Sequence, residues 1–286
     1  MKPGDLSHHE SQATAPAGSG LRRVLRAGEQ TPGREETDLV AQEVPVALEY
    51  NGIGHATLLT SPTDLEDFAF GFSYTEGIIR SARDIYGMDI VERPTGFVIQ
   101  VEMASACLNQ LKLRRRSLAG RSGCGLCGIE SLDEVRRELP ALPTPSRPFS
   151  ATAISTAVDQ LRARQPLHLA TGATHAAGWA DLDGNIGQVR EDVGRHNALD
   201  KLIGHLIRNT QDTTQGIAVI SSRASFEMVQ KAAAAGIPAL AAVSAPTSYA
   251  IQMADELNLL LAGFARGPRF TVYSHPEYLS IPGSPS

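Results

Sequence analysis

Gly216-Ile217-Ala218-Val219-Ile220-Ser221-Ser222-Arg223 is the stretch on which the fold turns. An apolar run that stops in a small polar tract and an arginine reads as a buried strand with an abrupt end. The rhythm continues downstream. Ser225 to Ala235 is patterned as a helix, Ala239 to Val243 as a strand, Ser248 to Phe264 as a helix and Arg269 to Tyr273 as a strand. Upstream, Asn197 to Arg208 reads as a helix. Thr174 to Ala180 and Ile186 to Val189 read as a hairpin joined across Asp183-Gly184. This alternation predicts a layered α/β domain with a largely parallel sheet.

Ligands of such sheets sit beyond the carboxyl ends of the strands. Ser221-Ser222-Arg223 and Ser244-Ala245-Pro246-Thr247-Ser248 fall there, each ahead of a helix whose free N–H groups favour anions. Serine and threonine caps explain part of that pattern. Arg223 is not a cap. The densest polar stretch, Glu191-Asp192-Val193-Gly194-Arg195-His196-Asn197 through Lys201, lies between a strand and a helix. Arg195, His196 and a helix start capped by Asn197 can converge on a phosphate. Asp192 is the expected partner that orients His196. His175 is a second candidate at the same edge, and His205 reads as structural.

Working outward, Val44, Val46 and Leu48 alternate along Glu43 to Tyr50, Asn51-Gly52 signals a hairpin, and His55 to Thr60 returns. Thr63 and Glu66 have capping-box spacing ahead of a helix with Leu65, Phe68, Ala69 and Phe72 on one face, stopped by Gly77. Strands are expected over Ile85 to Val91 and Gly96 to Glu102, and a charged helix over Ile129 to Leu139. Pro140, Pro143, Pro145 and Pro148 then mark a boundary. The expected division is a disordered leader (1–38), an N-terminal α+β subdomain (39–148) carrying a mobile Cys-x-x-Cys loop, the α/β domain (149–275) and a tail (276–286).

That loop is Arg121-Ser122-Gly123-Cys124-Gly125-Leu126-Cys127-Gly128, preceded by the basic run Lys112 to Arg116. Positive neighbours lower a thiol's pKa and glycines free the backbone, so a reactive or metal-binding loop is favoured over a packed turn. Cys107 reads as packed. A net charge of −5 excludes a generic polyanion or nucleic-acid binder, so any phosphate site must be a local basic patch. Three cysteines suggest a reducing compartment rather than a disulfide framework. The apolar run Ala232 to Val243 is too short for a bilayer and Met1 to Gly20 lacks a signal-peptide core, so a cytoplasmic, non-membrane protein is expected.

Four stretches together resemble the FdhD family of sulfur carriers: Thr63-Asp64-Leu65-Glu66-Asp67-Phe68-Ala69 through Gly77, Ser122 to Gly128, Glu191 to Lys201, and Ser221-Ser222-Arg223 through Thr247. The likeness runs from about Glu43 to Tyr273. It implies a sulfurtransferase that takes sulfur from a cysteine desulfurase as a persulfide. The sulfur goes to the molybdenum cofactor in its bis-guanine-dinucleotide form, for formate dehydrogenase. The cofactor is then a bound substrate and no permanent cofactor is expected. By resemblance Cys124 is the carrier. Cys127 is the second cysteine, which either expels sulfide to leave a disulfide or holds the sulfur in transit. Phe264-Ala265-Arg266-Gly267-Pro268-Arg269 matches the cofactor-binding segment, to which Arg223, Arg195 and His196 add cationic or polar contacts. The resemblance also implies a cytidine-deaminase-like α/β domain and a homodimer.

Three rivals stand beside this reading. A zinc deaminase needs Pro-Cys-x-x-Cys, and Gly123 occupies the proline position, so that chemistry is rejected and only the fold kept. A structural zinc site would need ligands beyond Cys124 and Cys127, from a second subunit or a distant histidine. A non-catalytic chaperone for the molybdenum cofactor would use the binding edge without the cysteine.

Overall fold

A computed structural model describes residues 15–29, 31–119 and 136–281, without the side chains of residues 31 and 114–119. The chain opens with a ribbon of β1 (Ser19–Gly28) and antiparallel β2 (Thr31–Ala41). Most of this stretch was expected to be an unstructured leader. Its low hydrophobicity misleads because the strands are held by cross-strand pairs, with Arg26 bonded to both Glu36 and Asp38.

β3 (Val44–Tyr50) and β4 (Ile53–Thr60) follow as the expected hairpin. Asn51 and Gly52 both have positive φ, 48° and 76°, as this tight turn requires. Helix α1 (Leu65–Thr75) comes next, then β5 (Ile85–Arg93), β6 (Gly96–Met103) and α2 (Ser105–Ala119). The capping box does not form. Asp64 is the N-cap, in the left-handed region at φ 51°, and Glu66 pairs with Arg208 instead. The basic run before the cysteines lies within α2, a helix the sequence reading did not place. The four strands order as β4-β3-β6-β5, and Val46, Leu48, Tyr50, Ile99 and Val101 pack against Phe68 and Phe72 of α1.

The rest is β7 (Phe149–Ser150), α3 (Ala151–Ala163), α4 (Pro166–Thr171), β8 (His175–Asp181), β9 (Ile186–Asp192), α5 (Arg195–Arg208), β10 (Gly216–Ile220), α6 (Phe226–Ala234), β11 (Ala239–Ala242), α7 (Ser248–Glu256), β12 (Leu260–Arg266), β13 (Arg269–Ser274) and β14 (Leu279–Ser280). The six-stranded sheet runs β13-β12-β11-β10-β8-β9. It is mixed rather than largely parallel: β10 pairs in parallel with β11, and β11 with β12, while the hairpins at both margins are antiparallel. Hairpins need only short turns, so both margins can be closed without crossover helices. Cores lie on both faces, one under α5, α6 and α7 and one under α3. The helix expected over Ser248 to Phe264 ends at Glu256, because Asn258 takes a left-handed φ of 55° and the chain turns into β12. Of the helix expected over Ile129 to Leu139, residues 129–135 lie outside the described residues, and 136–139 are not helical. Of the expected tail, residues 276–281 are described, and within them β14 pairs with β7; residues 282–286 lie outside the described residues. Among the described residues no helix is long and apolar enough to cross a membrane.

The four-stranded unit is joined to the larger sheet where α1 crosses α5. A Cβ on Gly71 would sit 1.7 Å from the carbonyl oxygen of Asp200, and one on Gly204 would sit 1.8 Å from that of Asp67. Only glycines allow this approach. Charge pairs line the seam: Asp67 with Arg190 at 2.7 Å and Arg208 at 2.5 Å, Asp200 with Lys231 at 2.9 Å, and Asp192 with Lys201 at 2.6 Å. The Asp192 and Lys201 side chains are wholly buried, and Lys201 Nζ also donates to the carbonyl of Ser61.

Candidate functional site

The carboxyl ends of β10, β11 and β12 form one continuous edge. Because β8 runs antiparallel to β10, its first residues join that edge. The Ser221 N–H donates to the Ala176 carbonyl at 3.0 Å, and the Ala176 N–H donates to Ser221 Oγ at 2.9 Å. His175 pairs across the hairpin with Asp192, which leads into α5. The loops after β10 and β11 are bonded through Ala224 N–H to Ala245 O and Thr247 N–H to Ala224 O. Phe264 N–H donates to Ser244 O, which brings in the end of β12. At about 4.8 Å per strand the edge is roughly 20 Å wide. Arg195 and His196 thus stand near one end, Arg223 at the middle and Phe264 to Arg269 at the other.

Helix α5 begins at Arg195 with Gly194 as its cap, so Asn197 lies inside the first turn and is not the cap. Its Nδ2 donates to the Leu59 carbonyl and to Asp192. Nor does Asp192 orient His196. It accepts from the N–H groups of Ser61 and Gly194 and pairs with Lys201, which consumes it in the seam. The partner of His196 is Glu227, whose carboxylate lies 2.7 Å from Nε2. That ring, helped by Arg195 and Lys231, holds the Glu227 carboxyl below the usual range against partial burial. Glu227 was missed. Its place in the first turn of the helix after Arg223 was the available signal, though acids there are ordinary partners of the helix dipole.

His175 is not isolated. Burial first, then the charges of Arg195, His168 and His196, push its pKa down, with Asp192 opposing. It lines a cavity of about 600 Å³ with His168, Gln165, Thr174, Ser221 and Val243. His205 lies in the seam, where Arg190 approaches its Nδ1 to 2.7 Å.

At the other end, Gly267 (φ 55°) and Pro268 turn β12 into β13. Phe264 is half exposed with a left-handed φ of 52°, a costly conformation for an aromatic residue. Phe264, Pro268 and Arg269 line a cavity of about 590 Å³ with Phe270, Leu279 and Ile281. Ala265 departs from the expected binding segment, since its side chain is buried in the core under α3. Arg223, Arg266 and Arg269 are exposed and have no carboxylate partner among the described residues. The buried Nε of Arg195 and the buried Oγ of Ser225 also lack partners there. The edge therefore offers unneutralised cations and open donors between two helix N-termini, which suits an extended anion.

Cys124 and Cys127 lie outside the described residues. The chain leads towards them through α2 and leaves them at Arg136, which pairs with Glu256. Arg137 N–H donates to Gln230 at 2.7 Å, and its guanidinium donates to the carbonyls of Tyr74 and Thr75 over Gly77. Cys107 is buried in the N-terminal core, and burial pushes its thiol pKa up. Among the described residues no group of three His, Cys, Asp or Glu side chains is placed to hold a metal ion.

Comparison with known proteins places this architecture. The FdhD/NarQ family model matches residues 41–280. A protein of Bordetella petrii named sulfur carrier protein FdhD is 56% identical over 246 residues, covering 86% of this chain and 88% of that one. Proteins of the same name from Bordetella parapertussis (52% identical, 95% and 98% covered) and Cupriavidus necator (54%, 85% and 84%) are similar. A crystal structure from Desulfotalea psychrophila, described as a candidate formate dehydrogenase accessory protein, superposes with a TM-score of 0.70 over 92% of this chain and 99% of that one, at 23% identity. At that identity it speaks for the fold. With a family model spanning most of its length and relatives more than half identical, this chain belongs to the FdhD/NarQ family.

Proposed function

We propose that this protein is a sulfur carrier for formate dehydrogenase maturation, with Cys124 as the carrying thiol and the sheet edge as the seat of the acceptor. The Cys124 thiolate attacks the outer sulfur of a persulfide on a cysteine desulfurase. A new S–S bond forms at Cys124, the old one breaks, and the desulfurase cysteine leaves as thiolate with no net change of oxidation state. The sulfur then passes to the molybdenum cofactor in its bis-guanine-dinucleotide form, destined for formate dehydrogenase. Cys127 either displaces sulfide by attacking Cys124, closing a disulfide that needs a reductant to reopen, or holds the sulfur in transit. Besides these partners the reading includes a second copy of the chain. The hairpin-then-parallel order β9-β8-β10-β11-β12 supports describing the domain as cytidine-deaminase-like.

The observation that carries the binding half is the row of cations, Arg195, Arg223, Arg266 and Arg269, that have no carboxylate partner among the described residues, along one edge of a chain with net charge −5. Pyrophosphate groups are the matching chemistry, and arginine forks grip them in pairs of bonds. The name of the relatives and the glycine-flanked Cys124-Gly125-Leu126-Cys127 support the sulfur half.

The test is intact mass after incubation with a cysteine desulfurase and cysteine. Wild type should gain about 32 Da, removable by reductant, and Cys124→Ala should not. An adduct that persists in Cys124→Ala, or none in wild type, refutes the sulfur role. The cofactor-chaperone reading is favoured if Cys124→Ala still supports formate dehydrogenase, because the edge would then suffice.

A further inference from the structure

The middle of the carboxyl edge carries an aromatic pair. Phe226 opens α6 and Tyr249 stands in the first turn of α7, with ring centroids 5.2 Å apart and ring planes tilted by 42°. Phe226 leans on the core under α5, α6 and α7, while Tyr249 is 36% exposed. A single exposed apolar residue is ordinary. Its placement here is not: among the described residues three large aromatic side chains stand exposed, Tyr86, Tyr249 and Phe264, and the last two share this edge.

The surroundings of the pair are polar and open. Ala224 bridges to Pro246, which pins together the two loops that lead into α6 and α7. Arg223, on the first of these loops, has no carboxylate partner among the described residues, and the buried Oγ of Ser225, next to Phe226, has no partner there. A ring laid on Tyr249 would therefore find an aromatic face beside a cation and an open hydroxyl.

We infer that Tyr249, backed by Phe226, is the stacking platform for a pterin ring of the acceptor, an inference that rests on reading the edge as the acceptor's seat. An aromatic face takes any flat conjugated ring. Guanine and pterin share the same amino-oxo hydrogen-bonding rim, so position separates them. In a bis-guanine-dinucleotide cofactor the pterins lie innermost, next to the metal, and the guanines lie outermost, beyond the pyrophosphates. The cations that suit pyrophosphate stand at both ends of the edge, Arg195 at one and Arg266 and Arg269 at the other. The platform lies between them, beyond β10 and β11, the two central strands of the six. A ring held between the phosphate grips is the inner one.

Fluorescence titration of the full chain with neopterin, a pterin without phosphate or metal, tests it, with guanosine diphosphate as the comparison probe. Wild type should bind both. Tyr249→Leu keeps an apolar side chain against Phe226 and removes the ring. It should raise the neopterin dissociation constant about tenfold and change that of guanosine diphosphate less than about twofold. Tyr249→Phe should bind both probes as wild type does. Thermal melts establish that each variant is folded, and a merely structural tyrosine would not split the two probes. Unchanged neopterin affinity in Tyr249→Leu, an equal loss for both probes, or a wild type that binds guanosine diphosphate and not neopterin overturns the inference while leaving the edge as the acceptor's seat. A wild type that binds neither probe overturns that reading as well.

Discussion

The α1–α5 seam and the carboxyl edge of the sheet both gather cations, and they treat them in opposite ways. At the seam Arg190, Arg208, Lys201 and Lys231 each have a carboxylate within hydrogen-bonding distance, and Lys201 and its partner Asp192 are sealed from water. At the edge Arg195, Arg223, Arg266 and Arg269 have none among the described residues. Buried charge is tolerated only when paired. Cations left unpaired at strand ends cost little while water reaches them, and they stand ready for an anion from outside. Matched charge therefore marks what holds the halves together, and unmatched charge marks where a ligand belongs.

The contrast is sharpest in stability. Asp192→Ala should cost about 3–5 kcal/mol, because it leaves Lys201, already pulled below its usual pKa range by burial, as an uncompensated charge. Denaturant titration reads this, and a loss under about 1 kcal/mol would mean that the pair is not sealed. Gly204→Val should cost about 3 kcal/mol or slightly more, since its Cβ meets backbone that cannot yield. If that variant melts like wild type, the helices are not in contact as described.

At the edge the expected pattern inverts. Arg195→Ala should leave stability within about 0.5 kcal/mol of wild type while weakening guanosine diphosphate, used as a probe and followed by calorimetry, about tenfold. Unchanged affinity would remove Arg195 from the binding edge. Arg266→Ala and Arg269→Ala should weaken it less, being more exposed.

The smallest effect is in pH. The folded chain resists protonating His175, whereas the unfolded chain takes up that proton near pH 6.5. Below that value the unfolded state binds more protons, so this residue's contribution to stability falls with pH. His175→Gln should flatten the loss between about pH 7.5 and about pH 5.5; a slope equal to wild type would place the effect elsewhere.

Local signals were the legible ones. Asn51-Gly52 and Asp183-Gly184 marked their hairpins. What depended on distant residues was not legible. The β1–β2 ribbon rests on pairs such as Arg26 with Glu36, which composition does not reveal. β12 was read as the end of a helix because Leu259-Leu260-Leu261 continues an apolar face, and Asn258 was the overlooked stop. Arg195, His196 and Arg223 stand at strand ends followed by helix starts, a pattern visible in sequence. The Asp192–Lys201 and His196–Glu227 pairs were not foreseen, since which charge meets which is decided by how the helices pack.

The glycine crossing has a consequence for anyone who would take the molecule apart. The prolines between residues 140 and 148 look like a place to cut, yet a fragment ending there would present the bare backbone of Gly71 and lose the cations of Asp67. The other fragment would expose Lys201 without the Ser61 carbonyl, and Lys231 without Thr75 and Glu76. The two halves are interlocking parts of a single casting, and truncation libraries or domain-swap chimeras drawn at that connector should yield insoluble pieces.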